Sequence, residues 1–378
     1  MDSEPLTEVE QQRLDLQLID AAWRNDVPRA RRLIERGADV NAQDKTQQSA
    51  FLIATSEGFY ELLELTLRHG ARPSSRDSFD GTGLIRAAER GHAHVVGRLV
   101  AAGTELDHVN NLGWTALHEA VILGDGSRRY LDTVRVLVGA GADVRIPAER
   151  DGLTALEHAR AEGYDAIAEV LAAAADARDR PDRDRAERRL LEAAAAGDAD
   201  GVALALRAGA RLEARDAARR TPLLLAVTHD RLAVARLLVA LGADPDALDD
   251  RHDTPWLVTG VTGSVPMVEV LLPARPDLTI RNRFGGVSII PASERGHVDY
   301  VRRAAMTGID VDHVNDLGWT ALLEAVILGD GSRPYQQIVG ILLDAGADRS
   351  IADGDGVTAL EHAERRGQDA VARILRAG

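Results

Sequence analysis

Two short sets of ionisable side chains invite a chemical reading. Asp107, His108 and Glu119 form one, and Asp312, His313 and Glu324 repeat it 205 residues later. A carboxylate beside an imidazole can move protons by general acid–base catalysis. These six are therefore the candidate catalytic residues of a groove-based enzyme acting on a small molecule or peptide. No nucleophile elbow, phosphate loop or ligand cluster accompanies them. His92-Ala93-His94 sets two rings at i, i+2, which do not face one way on a helix. Asp353-Gly354-Asp355-Gly356 with Glu361 looks like the start of a calcium loop, but the later ligands and the twelve-residue spacing are missing. No metal site and no cofactor is expected.

Composition narrows the field further. The chain has 378 residues and a net charge of −15, a surface that repels phosphate backbones and anionic lipid. Neither nucleic acid nor a membrane surface is an expected partner. There is no cysteine, which excludes disulfides and thiolate metal sites. The N-terminus lacks the basic start and apolar run of a secretion signal, and no stretch reaches the ~18 apolar residues of a membrane span. A cytoplasmic location is expected. Lysine occurs once, at Lys45, against a large arginine excess, which points to GC-rich coding and a bacterial source. Aromatic residues make up only 3% of the chain, so the core is expected to pack small aliphatic residues many times over.

The elements that must position any site come from an internal period. A register of Leu16, Ser49, Thr82, Thr115, Thr154, Arg188, Thr221, Thr254, Val287, Thr320 and Thr358 advances by 33 residues, except after Thr115, Thr154 and Thr320 (39, 34 and 38). Each unit reads as a short apolar helix, a second helix, then Gly-Ala-Asp or a variant, as at 37–39, 141–143, 242–244 and 346–348. The glycine suits a left-handed helix end. An extended hairpin follows, and the next threonine caps the next helix. Neither helix can bury its apolar stripe alone; stacked on its neighbours, each can.

On these residues the chain resembles an ankyrin-repeat protein over nearly its whole length. The family's Thr-Pro-Leu-His turn stands as Thr115-Ala116-Leu117-His118 and Thr221-Pro222-Leu223-Leu224, its inter-helix Gly-His as Gly91-His92 and Gly296-His297, and its Gly-Ala-Asp-Val-Asn-Ala hairpin at 37–42. The Leu-Gly-Trp-Thr-Ala-Leu version with a long inter-helix loop resembles a bacterial branch. The resemblance implies an all-α fold, a solenoid of about eleven helix-turn-helix units with short β-hairpin fingers. It also implies a non-catalytic scaffold that binds another protein through a concave face.

Residues 107–126 and 312–331 match at eighteen of twenty positions, which an internal duplication explains. Five units are expected over 1–174 and six over 185–378. Between them lies a charged irregular junction, 175–184, in which Ala175 replaces the cap glycine. One stack with an irregular middle finger and two arrays joined by a hinge are both open. The stretches 124–134 and 329–339 each insert five residues and are expected to project as loops. Pro291 falls inside a predicted first helix, where proline costs about 3 kcal/mol. Arg275 takes a cap-glycine position, at roughly 1–2 kcal/mol. The region 255–291 should be the least regular.

Partner contacts are expected just before each capping residue, late in each first helix, and in the inserted loops. The candidates are Trp23, Phe79, Trp114, Arg128, Arg129, Tyr130, Arg220, His229, Asp253, Phe284, Trp319, Arg333 and Tyr335. Trp114 and Trp319 are the largest anchors, although a tryptophan in that turn can equally pack beneath the neighbouring finger. His118 is expected to bond finger backbone, His92 and His297 to cap second helices, and His158 and His362 to lie half-buried.

Overall fold

The computed structural model describes residues 7–176 and 182–377, and among them lie twenty-two α-helices and one 3-10 helix. They fall into two compact units. The first comprises Met1–Ala186 with Ala199–Ala210 and Ala240–Gly242; the second comprises Glu187–Asp198, Arg211–Val239 and Ala243–Gly378. In chain order the helices are α1 (Glu8–Trp23), α2 (Val27–Glu35), α3 (Ala50–Glu57), α4 (Tyr60–Arg68), α5 (Gly83–Glu89), α6 (Ala93–Ala101), α7 (Ala116–Ile122), α8 (Arg128–Gly139), α9 (Ala155–Ala161), α10 (Asp165–Asp176), α11 (Arg183–Ala196) and α12 (Ala199–Arg207). There follow α13 (Pro222–Thr228), α14 (Leu232–Ala240), α15 (Pro255–Thr262), α16 (Val265–Leu271), α17 (Ile289–Glu294), α18 (Val298–Ala305), α19 (Ala321–Ile327), α20 (Arg333–Asp344), α21 (Ala359–Arg365) and α22 (Asp369–Ala377).

Within the first unit the inner helices α1, α3, α5, α7 and α9 pack in sequence, and each lies against its own outer helix, α2 to α10. The second unit repeats the plan, with α13, α15, α17, α19 and α21 as inner helices. Several inner helices are short and buried nearly all round: α3 buries Ala50 to Ser56, and α7 buries Ala116 to Val121. Helices this short do not persist alone in water, so their stability comes from both flanking repeats. Helix α12 packs on α8 and α10 in the first unit. There Arg135 Nε donates to Asp200 Oδ1 at 2.6 Å, and Arg207 Nη1 to the Ala142 carbonyl at 2.6 Å.

Capping follows the register. Ser49, Thr82, Thr115, Thr154, Thr221, Thr254, Thr320 and Thr358 each accept the N–H three residues on through the side-chain oxygen. Three register positions behave otherwise. Leu16 lies within α1, which begins earlier on a Thr7–Glu10 capping box. Arg188 lies within α11. At Val287 the cap is absent, and α17 starts at Ile289 without a side-chain cap bond. That later start puts Pro291 third in its helix, in the first turn, where no intrahelical N–H bond is required. The expected proline penalty is therefore not incurred. Arg275 does take the left-handed conformation, at φ 55°, after a 3-10 turn over Leu272–Ala274.

Two other expectations change. The inserted residues near 124–134 and 329–339 do not project as loops. They wind into α8 and α20, each twelve residues against nine in α6. The fingers contain no strands among the described residues; isolated antiparallel bridges join Arg76 to Thr82, Pro147 to Thr154 and Ala352 to Thr358. Of the junction, residues 177–181 lie outside the described residues. Ala175 closes α10 instead of capping it, and its carbonyl accepts from Arg145 Nη2 at 2.8 Å.

Seven links between repeats run through orphan carbonyls at or just past the ends of inner helices and of α11. His92 Nε2 donates to the Ser56 carbonyl at 3.1 Å, the Tyr130 hydroxyl to Glu89 at 3.1 Å, and the Tyr164 hydroxyl to Gly124 at 3.0 Å. In the second unit Arg231 serves Ala195 (3.1 Å), His297 serves Val261 (3.1 Å), Tyr335 serves Glu294 (2.9 Å) and Gln368 serves Val326 (3.0 Å). His92 and His297 thus stand at the N-caps of α6 and α18 but make no cap bond there; their rings reach back to the preceding repeat. They fit because a Cβ at Gly58 or Gly263 would come within 2.7 or 2.5 Å of the ring.

Tyr130→Phe and Tyr335→Phe are each expected to lower unfolding free energy by about 1 kcal/mol, the result of leaving one buried carbonyl unpaired. Arg275→Gly should raise it by roughly 1 kcal/mol by relieving the left-handed strain. Urea titrations of the three variants beside the intact chain check both directions.

Candidate functional site

The finger before α7 is held by one side chain. Asn110 Oδ1 accepts the N–H groups of Leu112 (2.9 Å) and Trp114 (3.1 Å), and its Nδ2 donates to Glu119 Oε1 at 2.6 Å. The twin copy matches: Asn315 Oδ1 accepts from Leu317 and Trp319, both at 3.0 Å, and Nδ2 donates to Glu324 Oε1 at 2.8 Å. Several other fingers use aspartate at this place, five residues before the capping residue. Asp77 accepts from Phe79 and Gly81 and pairs with Arg86; Asp353 accepts from Asp355 and Val357 and pairs with His362 at 2.7 Å. In all four cases the partner lies nine residues on, on the inner helix. In the Asp77 and Asp353 fingers the aspartate meets a cation; in the twin fingers the glutamate requires a donor, and the amide of asparagine supplies it.

This pairing turns the two glutamates away from solvent. Glu119 is 0% exposed and Glu324 6%. Burial first, then repulsion from Glu89 or Glu294, pushes both carboxyls up to about 7; the asparagine bond and a nearby arginine, Arg86 or Arg295, oppose the shift. Glu119 Oε2 is buried without a hydrogen-bond partner.

The other candidate catalytic residues are committed elsewhere. Asp107 Oδ1 accepts the Asp143 N–H of the following finger at 2.9 Å, whereas His108 Nε2 donates back to the Asp80 carbonyl at 2.7 Å. Asp312 accepts from Asp348 (2.8 Å) and His313 donates to Gly285 (2.7 Å) in the same way. Each side chain thus serves a different finger, and no shared reacting point is formed. His118 is also structural: it bonds Thr115 through Nδ1 and the Leu153 carbonyl through Nε2 at 3.3 Å. His158 and His362 are half-buried. Among the described residues no group of three His, Asp or Glu side chains is placed to hold a metal ion.

The partner candidates divide between the two ends of the inner helices. At the finger end of the first unit Phe79 is half exposed, and its carbonyl accepts the Asn111 N–H at 2.9 Å, which brings it beside the Leu112–Trp114 turn. In the second unit Phe284 is similarly exposed and bonded to Asp316 at 3.0 Å. An arginine lies over each ring, Arg86 at 5.1 Å from Phe79 and Arg283 at 4.6 Å from Phe284. Trp114 and Trp319 are half-buried. Arg220 is tied to Asp216 at 2.7 Å, and Asp253 lies 3.8 Å from Arg283. At the other end, His229 and the arginines Arg128, Arg129 and Arg333 are exposed. Tyr130 is buried and Tyr335 half-buried, each with its hydroxyl spent on the preceding repeat. Trp23 stands apart, exposed at the end of α1.

Family profiles described as ankyrin repeats in three copies match residues 51–148 and 84–181; profiles for many copies match 18–65 and 289–333, and a single-repeat profile matches 219–250. The putative ankyrin repeat protein YahD of Escherichia coli K12 is 38% identical over 186 residues, 49% of this chain and 92% of YahD. The chain belongs to the ankyrin-repeat family. Human B-cell lymphoma 3 protein is 31% identical over 274 residues, 69% of this chain and 52% of that protein. Among solved structures, an ankyrin repeat domain from Acinetobacter baumannii AYE is 42% identical and covers 50% of this chain and 97% of that domain, with a TM-score of 0.49. Ankyrin repeats generally mediate contacts between proteins.

Sequence reasoning passed over several residues of the ankyrin fingers. Asn110 and Asn315 are the anchors, and the signal was present: asparagine where most fingers carry aspartate, nine residues before a glutamate. Leu112 with Leu317, and Leu123 with Leu328, also went unnamed. Leu317, Leu123 and Leu328 are 58%, 46% and 48% exposed, and all four recur at the duplication offset.

The buried glutamates give the ankyrin array a pH dependence. Their folded pKa lies above the ordinary 4.5, so the stability they contribute is full below about pH 4.5 and is lost as pH rises through 7. His92, His94 and His118, held low mainly by burial, act in the opposite sense. Comparison of the intact chain with Glu119→Gln plus Glu324→Gln isolates the carboxyls. Urea titrations from pH 5 to 8 should show the intact chain losing on the order of 1–3 kcal/mol per glutamate relative to the double variant. Asn110→Asp should destabilise most at pH 8 and recover toward pH 5.

Proposed function

We propose that the chain is a non-catalytic scaffold that binds a partner protein along the face made by its finger tips and inner helices. One observation carries the reading. Phe79, Leu112, Trp114 and Leu123 recur as Phe284, Leu317, Trp319 and Leu328, and each set includes large apolar side chains left partly in water. Residues 107–126 and 312–331 are nearly identical throughout, exposed and buried alike, but outside that block the two copies differ: the Asp77–Arg86 pair of the first is Asn282 and Pro291 in the second, and Leu99 is Ala304. There the exposed Phe79 persists as Phe284 while a buried pair changes, which is what a contact surface requires, since aromatic and arginine anchors dominate binding energy.

The partner is a protein, not a nucleic acid, because a net charge of −15 opposes phosphate backbones. Among the described residues no helix is long and apolar enough to cross a membrane. With no cysteine in the chain, this supports a cytoplasmic setting.

The test is affinity purification of the intact tagged chain from its native host, beside a variant carrying Phe79→Ala, Phe284→Ala, Leu123→Ser and Leu328→Ser. Specific partner recovery should fall about tenfold in the variant, with the thermal melt unchanged. Equal recovery from a folded variant would place the contact elsewhere.

A further inference from the structure

The first and the last described helix pairs carry different outer flanks. An uncovered repeat face stays in solution when it is polar. The last pair has such a face: α21 exposes Glu361, Glu364 and Arg365, and none of the exposed large apolar side chains lies in α21 or α22. The first pair does not. Helix α1 buries Leu14, Leu18 and Ile19 toward α2 and α3, yet its opposite flank carries Val9 (76% exposed), Leu16 (49%) and Trp23 (49%). In interior repeats that flank is covered by the preceding inner helix.

These three residues are spaced by seven, so each step drifts only ~20° around the helix and they form one straight stripe. The stripe is symmetric about its middle: Val9 and Trp23 lie about 10 Å to either side of Leu16 along the axis. Arg13 and Asp20 flank Leu16 on a common edge of the stripe, and with Val9 and Arg29 they line a shallow hollow. Arg13 has no ion-pair partner among the described residues, whereas Asp20 already holds Arg24 and Arg29 at 3.1 and 2.8 Å.

We infer that this flank of α1 is covered by the same flank of a second copy of the chain, antiparallel, about a two-fold axis through Leu16. The operation sets Val9 against the second copy's Trp23 and Leu16 against its own counterpart. It also brings Arg13 to within about one residue's rise of the second copy's Asp20, on the same edge, and does so twice. The face is therefore self-complementary in shape, apolarity and charge. An interface one helix wide is smaller than the ~1,600 Å² of a standard complex, so the association is weak and reversible.

The absence of cysteine makes a clean test available. Leu16→Cys places one thiol on the proposed axis, where two Cβ atoms approach to about 4 Å, a distance a disulfide spans. Under mild oxidation at ~50 μM chain, Leu16→Cys should convert to a covalent dimer at least tenfold faster than Met306→Cys, whose side chain is 77% exposed. In sedimentation equilibrium the intact chain should self-associate, and Leu16→Glu and Arg13→Glu should each weaken that at least tenfold without changing the circular dichroism melt. Equal crosslinking of the two thiols, or a chain monomeric to millimolar concentration, would overturn the proposal.

Discussion

The stacking of these repeats depends on a small deficit at the ends of their inner helices. A helix end leaves several terminal carbonyls without an intrahelical acceptor role, and most inner helices are too deeply packed for water to serve them all. The deficit is met from the next repeat along the chain, by His92, Tyr130 and Tyr164 in the first unit and by Arg231, His297, Tyr335 and Gln368 in the second. The donors differ in chemistry and agree only in place and reach. That is why the same position holds histidine, tyrosine, arginine or glutamine. It is also why no repeat is complete by itself: its apolar stripe and its carbonyls are both finished by a neighbour.

A second pairing acts within four of the repeats. The residue five places before the cap organises the finger by accepting two backbone N–H groups, and it also satisfies the polar side chain that the inner helix presents nine residues on. Asp77 meets Arg86, Asp353 meets His362, and Asn110 and Asn315 meet glutamates. The twin glutamates, which in isolation look like acid–base groups, are thereby explained as members of a structural pair. Their raised pKa follows from burial among other carboxylates, without any substrate being required.

The architecture was legible because its signals repeat. A capping threonine and a cap glycine at a fixed period fix where helices begin and end, and an error at one repeat is corrected by the others. The misreadings fell where one residue had to be judged alone. Pro291 reads as a helix breaker only if its helix starts on schedule, and it starts one residue late because Val287 cannot cap it. Tyr130 reads as a contact point only if its loop projects, and the loop is helix instead. Glu119 reads as groove-facing until its link to Asn110 is seen, a link that needs the finger folded back over the helix. Phe79 and Phe284 were legible for a simpler reason: the tip of a finger lies outside the packing whatever else is true.

In the seven links described the donor always comes from the C-terminal neighbour, so each link has a direction. Losing the repeat that follows strips a donor from the helix left behind and strands its carbonyl. Losing the one before leaves only an idle side chain that can turn to water. Damage at such a link therefore travels toward the N-terminus. A nascent chain emerging from a ribosome meets the same asymmetry, since each inner helix must wait for the segment synthesised after it before its end is closed.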